Sequence, residues 1–592
     1  MNILIKFLLL TCLIVIIVEA KSVKNELPTK QWWQRANFYQ LYPRSFKDSN
    51  GDGIGDLKGM IANFDHLKEL GITATWLSPI FASPQKDLGY DVSDFYKIDE
   101  AYGDMKDFEA LIERAHNLSI KIMLDYIPNH TSDQHQWFQD SVKKVNGKDD
   151  YYVWRNGTLD ENNNPKPPNN WVSVFGGPAW TYRSERNQWY LHQFTKYQPD
   201  LNYRNPKVKQ EMTEVIKFYL DKGVDGFRLD AINHMFEDDK FLDEPLTGWG
   251  QEGTYDYLEH IYTKDQNETY DVVYEWRDYL EKYTKDNNLT DDKILMTEAY
   301  ASIGDTMRYY ESKDGKRKGA HMPFNFELIY ALQDDPKAPR IKEGIENWLK
   351  NMPTGHTPSW VIGSHDHSRV ATRIKRFRAE LANTLLMTLP GTSITYYGEE
   401  ISMSDNLDFE IVVDNRDPCR TPMQWTNGTN AGFSEGEKTW LPVNRNYEQI
   451  NVEFMKDRPD SIFHQFTELT KLRNERAFLH GGLKLKAIND DLLVFERKFE
   501  NEESYVMVAN INRHNTAFNL TNAFEDVPQK MKIVFKTSKA SFNVGDEVDT
   551  SNMTLGDYAA VILRSRDNGA NVAQLSIGLL LLAVARFVFM AQ

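Results

Sequence analysis

The sequence predicts an α/β fold: a (β/α)8 TIM barrel with a subdomain inserted after the third barrel strand and a C-terminal antiparallel β-sandwich domain. Eight short apolar runs alternate with helix-like segments, which is the element order of such a barrel. Three of these runs have a carboxylate at their downstream end, at Asp230, Glu298 and Asp366. After about Gly482 the pattern changes to alternating apolar and polar residues, which is typical of antiparallel strands.

The barrel strands are predicted from apolar runs of strand length. They are Asn37–Tyr42, Ala74–Leu77, Ile120–Tyr126, Gly226–Asp230, Ile294–Glu298, His321–Asn325, Trp360–Gly363 and Ser393–Tyr397. Helical spacing of apolar residues predicts helices at Asp107–Asn117 and Pro206–Lys222, with Pro206 in the first turn. The C-terminal strands are predicted at Leu492–Arg497, Ser504–Ile511, Lys532–Lys536 and Ala559–Leu563.

The predicted domains follow from these patterns. The barrel takes residues 21–130 and 205–480, the insertion 131–204 and the C-terminal β domain 481–566. The insertion is rich in Trp, Asn, Gly and Pro and is too long for a plain loop. We expect it to lie over the mouth of the barrel.

The composition predicts large hydrophobic cores and argues against nucleic acid as a partner. The 592 residues are 41% hydrophobic with a formal net charge of -17, and no basic stripe offsets that charge. Large cores are therefore expected, and nucleic acid is not an expected partner. Cys12 falls in the predicted leader and leaves Cys419 without an intrachain partner, so no disulfide is predicted.

Both ends of the chain resemble processing signals. Residues 1–20 carry Lys6, an apolar run and the small-residue ending Val18-Glu19-Ala20, which predicts a secretory signal peptide. Residues 569–592 combine small residues, a short spacer and a terminal apolar tail, as in a glycosylphosphatidylinositol (GPI) attachment signal. Arg586 interrupts that tail, so secretion without an anchor is the open alternative. A homodimer is equally left open.

The segment around Asp230 predicts acid–base or nucleophilic chemistry. Arg228 and Asp230 are two residues apart on a strand, so their side chains point the same way. The guanidinium favours the charged form of the carboxylate, as a nucleophile requires, although a structural Arg–Asp pair inside a barrel has the same pattern.

Further segments identify a resemblance. Asp125-Tyr126-Ile127-Pro128-Asn129-His130, Gln198-Pro199-Asp200-Leu201-Asn202, Met296-Thr297-Glu298-Ala299-Tyr300 and Ser364-His365-Asp366 occur in this order. Together with the Asp230 segment they resemble the signature segments of the α-amylase family of glycoside hydrolases. The Gln-Pro-Asp-Leu-Asn form and Arg416-Asp417-Pro418-Cys419-Arg420 are similar to the α-glucosidase branch and to insect maltases.

The resemblance implies a retaining, exo-acting α-glucosidase acting on α-1,4-linked oligosaccharides and possible further substrates such as sucrose. Asp230 matches the nucleophile, Glu298 the general acid and base, and Asp366 the carboxylate that holds ring hydroxyls. His130, Arg228 and His365 match residues around the same ring. Ser364 departs from the asparagine that the family usually has there.

Three residues are expected to make the site exo-acting. Asp87 and Arg369 resemble a pair that grips the 4-hydroxyl of the terminal sugar, and Tyr90 is expected to stack on that sugar. The resemblance also implies a preference for α-1,4 linkages, because relatives that prefer α-1,6 linkages tend to carry valine where this chain has the small Ala231.

A calcium site is predicted in the loop after the first strand. Oxygen donors alternate there, with glycines between them, and the set resembles the structural Ca2+ loop of family glucosidases. Its members are Asp48, Asn50, Asp52, the Ile54 carbonyl and Asp56. The open alternative is a polar turn without metal.

The sequence leaves a second class of function open, that of a non-catalytic relative. Heavy chains of amino-acid transporters, and amylase-like surface proteins that dock an outside ligand, resemble the same family without catalysis. Such heavy chains typically lose catalytic carboxylates and carry a membrane anchor, whereas this chain keeps all three acids.

Overall fold

The computed structural model describes residues 30–407, 414–500 and 502–565. The predicted signal peptide and the predicted GPI-attachment segment, residues 1–20 and 569–592, lie outside the described residues. Within the part of the chain that is described, no helix is both long and apolar enough to span a bilayer.

Eight parallel strands form the predicted barrel, which confirms the fold class. In chain order, β1 to β8 are Asn37–Leu41, Ala74–Leu77, Lys121–Tyr126, Gly226–Leu229, Ile294–Thr297, Met322–Pro323, Ser359–Val361 and Thr392–Tyr396. They pair in the order β6-β5-β4-β3-β2-β1-β8-β7. Ser359 Oγ of β7 donates to the Pro323 carbonyl of β6 at 2.9 Å, so the two edges of the sheet meet.

Most helices around the barrel bury one apolar face, whereas Ala379–Thr388 is buried on nearly all sides. Pro206–Asp221 is representative: Asn205 caps it by accepting from the Lys207 amide, and Val208, Met212 and Val215 face the core. The helices are Pro43–Phe46, Leu57–Glu69, Met105–Asn117, Gln136–Lys143, Pro206–Asp221, Asn267–Asp286, Ile303–Met307, Glu327–Ala331, Ala338–Asn351, Val370–Arg373, Ala379–Thr388, Val452–Lys456, Ile462–Leu472 and Arg476–His480.

The insertion between β3 and the helix that begins at Pro206 folds as a small unit. It contains the helix Gln136–Lys143 and a three-stranded sheet of Trp154–Arg155, Trp180–Arg183 and Gln188–Leu191. A separate hairpin pairs Thr158–Leu159 with Pro165–Lys166. Bridges between His130 and Asp200 and between Tyr152 and Leu201 attach the end of the insertion to the barrel and to its own start.

The C-terminal domain is antiparallel, as predicted. Its six-stranded sheet has strands β9 to β14 at Gly482–Ala487, Leu492–Lys498, Ser504–Asn510, Lys530–Lys536, Glu547–Asp549 and Ala560–Arg564. Their order is β9-β10-β11-β14-β12-β13, and a two-stranded sheet of Thr516–Phe518 and Met553–Leu555 accompanies it. Buried Arg497 donates to the Thr388 carbonyl at 2.8 Å and so ties this domain to the barrel.

Candidate active site

The three predicted carboxylates line one cavity of about 370 Å³. Asp230 follows β4, and its amide donates to the Tyr126 carbonyl at the end of β3. Glu298 follows β5, and its amide donates to the Leu229 carbonyl of β4 at 2.9 Å. Asp366 lies on the loop after β7. Parallel strands therefore deliver all three side chains to the carboxyl end of the barrel.

Arg228 links the carboxylates on the floor of the cavity. Its guanidinium contacts Asp230, donates to Asp125 Oδ1 at 2.8 Å and lies 3.6 Å from Glu298 Oε2. It is almost fully buried and also packs over the ring of Trp76. One desolvated cation thus lies among several buried carboxyl groups and compensates the charge of those that are ionised.

The three acids differ in how strongly they hold a proton. Burial raises the pKa of Glu298 to about 8, so this side chain is protonated at neutral pH. Burial also raises the pKa of Asp230, and Arg228 opposes that shift. Burial opposes ionisation of Asp366 as well, but His365, Arg416 and Arg420 outweigh it and hold the Asp366 pKa far below its usual range. The cavity thus combines a neutral acid with a firmly charged carboxylate.

The backbone after Asp230 helps to place Glu298. Ala231 has a left-handed conformation, with φ of 47°. Its amide donates to Glu298 Oε2 at 2.9 Å. The Ile232 amide donates to the Glu298 carbonyl at 3.2 Å. The loop after β4 and the end of β5 are therefore fixed to each other.

Asp87 closes another wall of the cavity. Gln198 Nε2 donates to Asp87 Oδ2 at 2.8 Å, and Arg416 Nη2 lies 3.6 Å from Asp87 Oδ1. Burial raises the pKa of Asp87 to about 7. His130 stands beside the same glutamine, with its Nε2 3.0 Å from Gln198 Nε2, and burial lowers its pKa to about 3.

The prediction that Arg369 pairs with Asp87 is wrong. Arg369 is buried against the rings of Tyr396 and Tyr397 and donates to the Tyr397 carbonyl at 2.6 Å. It does not line the cavity. The helix Val370–Arg373 begins directly after Arg369, and the Arg369 amide donates to Asp405 at 2.8 Å, which fixes the backbone of this residue. Arg416 takes the position beside Asp87 that was expected for Arg369.

Tyr90 and His365 form a hydrogen-bonded pair beside the acids. Tyr90 Oη lies 2.7 Å from His365 Nε2 and donates to Asp125 Oδ2 at 2.9 Å. His365 Nδ1 accepts from Gln40 Nε2 at 2.8 Å, so the ring carries its proton on Nε2. Both side chains line the cavity, with the Tyr90 ring exposed by only 8%.

Ser364 preserves the local geometry of the loop after β7. Its hydroxyl accepts from the Asp366 amide at 3.2 Å and lies 3.0 Å from His367 Nδ1. Asp366 itself receives Arg416 Nη1 at 2.7 Å and Arg420 Nη2 at 3.1 Å. The departure from the usual asparagine therefore leaves the carboxylate held in place.

Several residues that form the site were not predicted as site residues. Asp125, Gln198, Arg416 and Arg420 all stand inside the sequence segments that carried the resemblance, so their signal was present. Phe194, Asn233, His234, Tyr255 and Lys264 also line the cavity. Asn233 and His234 stand in the segment around Asp230, so their signal was also present, whereas no motif gave a signal for Phe194, Tyr255 or Lys264.

The predicted calcium loop is closed by its own hydrogen bonds. Asp48 accepts from the amides of Asn50, Gly51 and Gly53, and Asp56 accepts from Ser49 and Gly59. Among the described residues, no three His, Cys, Asp or Glu side chains converge as metal ligands. The donor set as a whole, which includes the Asn50 amide and the Ile54 carbonyl, has the hard-oxygen chemistry that Ca2+ prefers.

Comparison with known proteins places this geometry in a family. A family model described as alpha amylase, catalytic domain, matches residues 40–482. An alpha-glucosidase of Culex pipiens is 53% identical over 565 residues, covering 95% of this chain and 96% of the relative. Maltase 1 of Drosophila virilis is 43% identical, with coverage of 91% and 88%. A salivary alpha-glucosidase of Anopheles gambiae is 42% identical, with coverage of 90% and 93%.

More distant matches span two kinds of protein. The human amino acid transporter heavy chain SLC3A1 is 40% identical, covering 88% of this chain and 76% of that protein. The crystal structure of the alpha-glucosyl transfer enzyme XgtA is 32% identical with a TM-score of 0.79, covering 91% of this chain and all of that one. The cavity, the ordered motifs and these matches agree, and the chain belongs to the α-amylase family of glycoside hydrolases.

Proposed function

We propose that the protein is a retaining, exo-acting α-glucosidase that releases glucose from the non-reducing end of α-1,4-linked oligosaccharides. The observation that carries this proposal is the convergence of Asp230, Glu298 and Asp366 on one cavity with sharply different proton affinities. Relatives named alpha-glucosidase and maltase cover nearly the whole chain and support it.

The reaction follows from the positions of the acids. Asp230 attacks the anomeric carbon as the bond to the leaving oxygen breaks, and Glu298 gives its proton to that oxygen. A covalent β-glucosyl ester of Asp230 results. Glu298, now a carboxylate, takes a proton from water, which attacks the same carbon and releases α-glucose. Two displacements retain the configuration.

The wall around Asp87 supports exo action. Asp87, Arg416 and Asp366 form a linked charge cluster, since Arg416 Nη1 lies 2.7 Å from Asp366 Oδ1 and Arg416 Nη2 3.6 Å from Asp87 Oδ1. Charged groups placed in this way suit the hydroxyls of a terminal sugar, which favours action at a chain end. Ala231 lines the same cavity, and a small residue directly after the nucleophile supports α-1,4 over α-1,6 linkages.

A substrate panel tests the proposal. The purified chain is incubated with maltose, sucrose, isomaltose, trehalose and soluble starch, and the product anomers are followed by NMR. The fastest release is expected from maltose, with α-glucose formed first. First-formed β-glucose would contradict the retaining mechanism, and the absence of glucose from every substrate would leave the non-catalytic alternative standing.

Replacing Arg416 by methionine is expected to lower kcat/KM for maltose by about two orders of magnitude. The substitution removes the cation that contacts both Asp87 and Asp366, and truncating one partner of a buried charge pair costs roughly 2–5 kcal/mol, partly because the other charge is left unpaired. Steady-state kinetics measure the loss. Arg369→Lys serves as the comparison, because Arg369 lies outside the cavity. An equal loss of kcat/KM in Arg369→Lys would instead support the pairing of Asp87 with Arg369.

The chain is further proposed to enter the secretory route. The leader-like residues 1–20 and a relative named as a salivary enzyme support secretion. The terminal segment 569–592 supports attachment to the outer cell surface through a GPI anchor. Release of the expressed protein from cells by a phosphatidylinositol-specific phospholipase C would separate anchored from secreted protein. The homodimer stays a prediction.

A structural Ca2+ ion in the loop of residues 48–56 is proposed on its donor chemistry. Removing calcium with EDTA is expected to lower the thermal unfolding midpoint by several degrees, because an ion that binds only the folded state stabilises it by mass action. Scanning calorimetry with EDTA and with added CaCl2 measures the shift. Asp52→Asn should reduce the difference, and an unchanged midpoint in both buffers would contradict the proposal.

The non-catalytic alternative is less well supported. The transporter heavy chain is a weaker match than the insect enzymes and shares less of its own length. All three acids are present and buried together here. A heavy chain that bridges its partner through a disulfide would need an accessible thiol, whereas the Cys419 thiol is buried and burial raises its pKa to about 12.

A further inference from the structure

Three carboxylates contact the guanidinium of Arg416, and one of them lies outside the cavity. Asp366 accepts from Nη1 at 2.7 Å, and Asp87 Oδ1 lies 3.6 Å from Nη2. Asp414 takes the Nε–Nη2 edge: its two oxygens lie 3.0 and 2.8 Å from Nε, and its Oδ2 also accepts from Nη2. Asp414 does not line the cavity, so it can influence a bound sugar only through Arg416.

Asp414 holds Arg416 more closely than Asp87 does. Two parallel N–H···O contacts are the strong geometry of an arginine–carboxylate pair. Burial opposes ionisation of Asp414, but the hydrogen bonds from Arg416 outweigh it and hold the Asp414 pKa below its ordinary range. Asp414 Oδ2 also lies 3.7 Å from Arg420 Nη1, and Arg420 Nη2 lies 3.1 Å from Asp366 Oδ1. Two arginines and two aspartates therefore alternate behind this wall.

The space between Asp87 and Arg416 is too wide for a direct hydrogen bond. N–H···O bonds span about 2.7–3.2 Å, whereas Arg416 Nη2 and Asp87 Oδ1 are 3.6 Å apart. Of the five N–H groups of a guanidinium, Asp414 takes two and Asp366 takes one. One N–H on Nη1 and one on Nη2 thus have no hydrogen-bond partner among the residues that the structure describes. A hydroxyl oxygen about 2.8 Å from both Nη2 and Asp87 Oδ1 fits between them.

Removal of the Asp414 charge is expected to close this space. Arg416 Nη2 would lose its nearest anion, and Asp87 Oδ1 is the next carboxylate oxygen beside it. Gln198 donates to the other oxygen of Asp87, which leaves Oδ1 able to accept from Nη2. A shift of roughly 1 Å or less would turn the 3.6 Å contact into a direct ion pair.

We propose that Asp414 is a positioning residue that holds Arg416 back from Asp87 and so keeps the space in which the 4-hydroxyl of the terminal glucose binds. That hydroxyl accepts from Arg416 Nη2 and donates to Asp87 Oδ1. This inference deepens the proposed glucosidase activity and rests on it. Selection of a terminal sugar then depends on a side chain outside the cavity.

Two substrates separate this role from a structural one. Maltose carries the 4-hydroxyl on its terminal glucose, whereas 4′-deoxymaltose lacks it. Asp414→Asn is expected to lower kcat/KM for maltose about tenfold, as for the loss of a hydrogen bond to a charged group, and to change that for 4′-deoxymaltose less than about threefold. The variant keeps the shape of the side chain, and the Asp414 amide can still donate to Asp417, which it does at 3.3 Å.

Asp65→Asn is the matched control. Asp65 forms an ion pair with Arg114 at 2.7 Å on an exposed helix, so its loss should leave the ratio of the two kcat/KM values as in the wild type. In an Arg416→Met background, Asp414→Asn should lower that ratio no further, because Asp414 acts through Arg416. An equal fall for both substrates in Asp414→Asn, or no fall for maltose, would overturn the inference. Wild-type inactivity on maltose would instead overturn the proposed function.

A second variant serves if Asp414→Asn does not fold. Asp414→Ala removes the carboxylate, and the Asp414 side chain is 22% exposed, so formate can enter from solvent. Formate offers two oxygens to the Nε–Nη2 edge of Arg416. Added formate is expected to raise kcat/KM for maltose several-fold in Asp414→Ala, but not in Arg416→Met or with an equal concentration of NaCl. No rise in a folded Asp414→Ala protein would overturn the positioning role.

Discussion

Asp230→Asn is expected to lose at least about four orders of magnitude in kcat for maltose. The amide has nearly the same shape as the carboxylate but is not a nucleophile, and loss of a covalent nucleophile removes the whole double-displacement route. The Arg228 guanidinium keeps its contact with Asp125, so the floor of the cavity stays in place. Steady-state glucose release measures the effect.

An exposed acid provides the control for this loss. Asp239→Asn makes the same chemical change on an exposed loop and should leave kcat within a factor of two. Unfolding midpoints of both variants should lie close to that of the wild type. Retention of more than a few per cent of kcat in Asp230→Asn would remove Asp230 from the role of nucleophile.

A second variant tests the face from which Asp230 attacks. Asp230→Gly leaves a space in which azide can bind, and azide then displaces p-nitrophenolate from p-nitrophenyl α-glucoside. The carbon–oxygen bond breaks as the carbon–nitrogen bond forms on the opposite face, so the product is β-glucosyl azide. Formation of α-glucosyl azide would show that the incoming group does not take the place of Asp230.

The barrel could be predicted because its signal is local. Each strand is a short apolar run, and a carboxylate directly after such a run must lie at the carboxyl end of a parallel barrel. The predicted strands at Ala74–Leu77 and Gly226–Asp230 match the observed strands within one residue. The sixth is shorter than predicted, with only Met322–Pro323 paired, because Pro323 has no amide to donate.

Long-range partners could not be predicted in the same way. Asp87 and Arg416 are far apart in sequence, and only the folded loops bring them within 3.6 Å. Arg369, three residues after Asp366, was the nearer choice, but a helix begins at the next residue and directs its side chain to Tyr396 and Tyr397. The side chain of Gln193, on the insertion, hydrogen-bonds to the carbonyl and the imidazole of His234 on the loop after β4. These contacts belong to no motif, since they depend on how the insertion packs on that loop.

Replacing Glu298 by glutamine is expected to separate the two steps of the reaction. For maltose, kcat/KM should fall by about 10³–10⁴, because a sugar alkoxide leaves slowly without a proton from the general acid. For 2,4-dinitrophenyl α-glucoside the leaving group needs no proton, so the first step should stay fast. The glucosyl ester of Asp230 should then accumulate, since water lacks its base, and appear as a burst of dinitrophenolate.

Azide should restore turnover in this variant with the opposite stereochemistry to Asp230→Gly. Azide needs no base and attacks the ester on Asp230 from the face that water would use, which gives α-glucosyl azide. Glu281→Gln, an exposed helix position, is the matched control and should show no burst. A β-glucosyl azide product, or a burst in the control, would contradict the assignment.

The pH profile gives an independent reading of the same side chain. Glu298 must be protonated to act as the acid, and burial raises its pKa to about 8. For the wild type, kcat/KM with maltose should therefore hold through neutral pH and fall as the pH rises through about 8. The fall in kcat/KM at acidic pH should reflect protonation of Asp230, whose pKa is raised by burial above the ordinary range of aspartate. Because the carboxyl groups of the cavity interact, the apparent pKa on either side of the profile belongs to the group of carboxyls and not to one residue. Glu298→Gln removes the group that titrates on the alkaline side, so its residual activity should lose that limb and keep the acidic one.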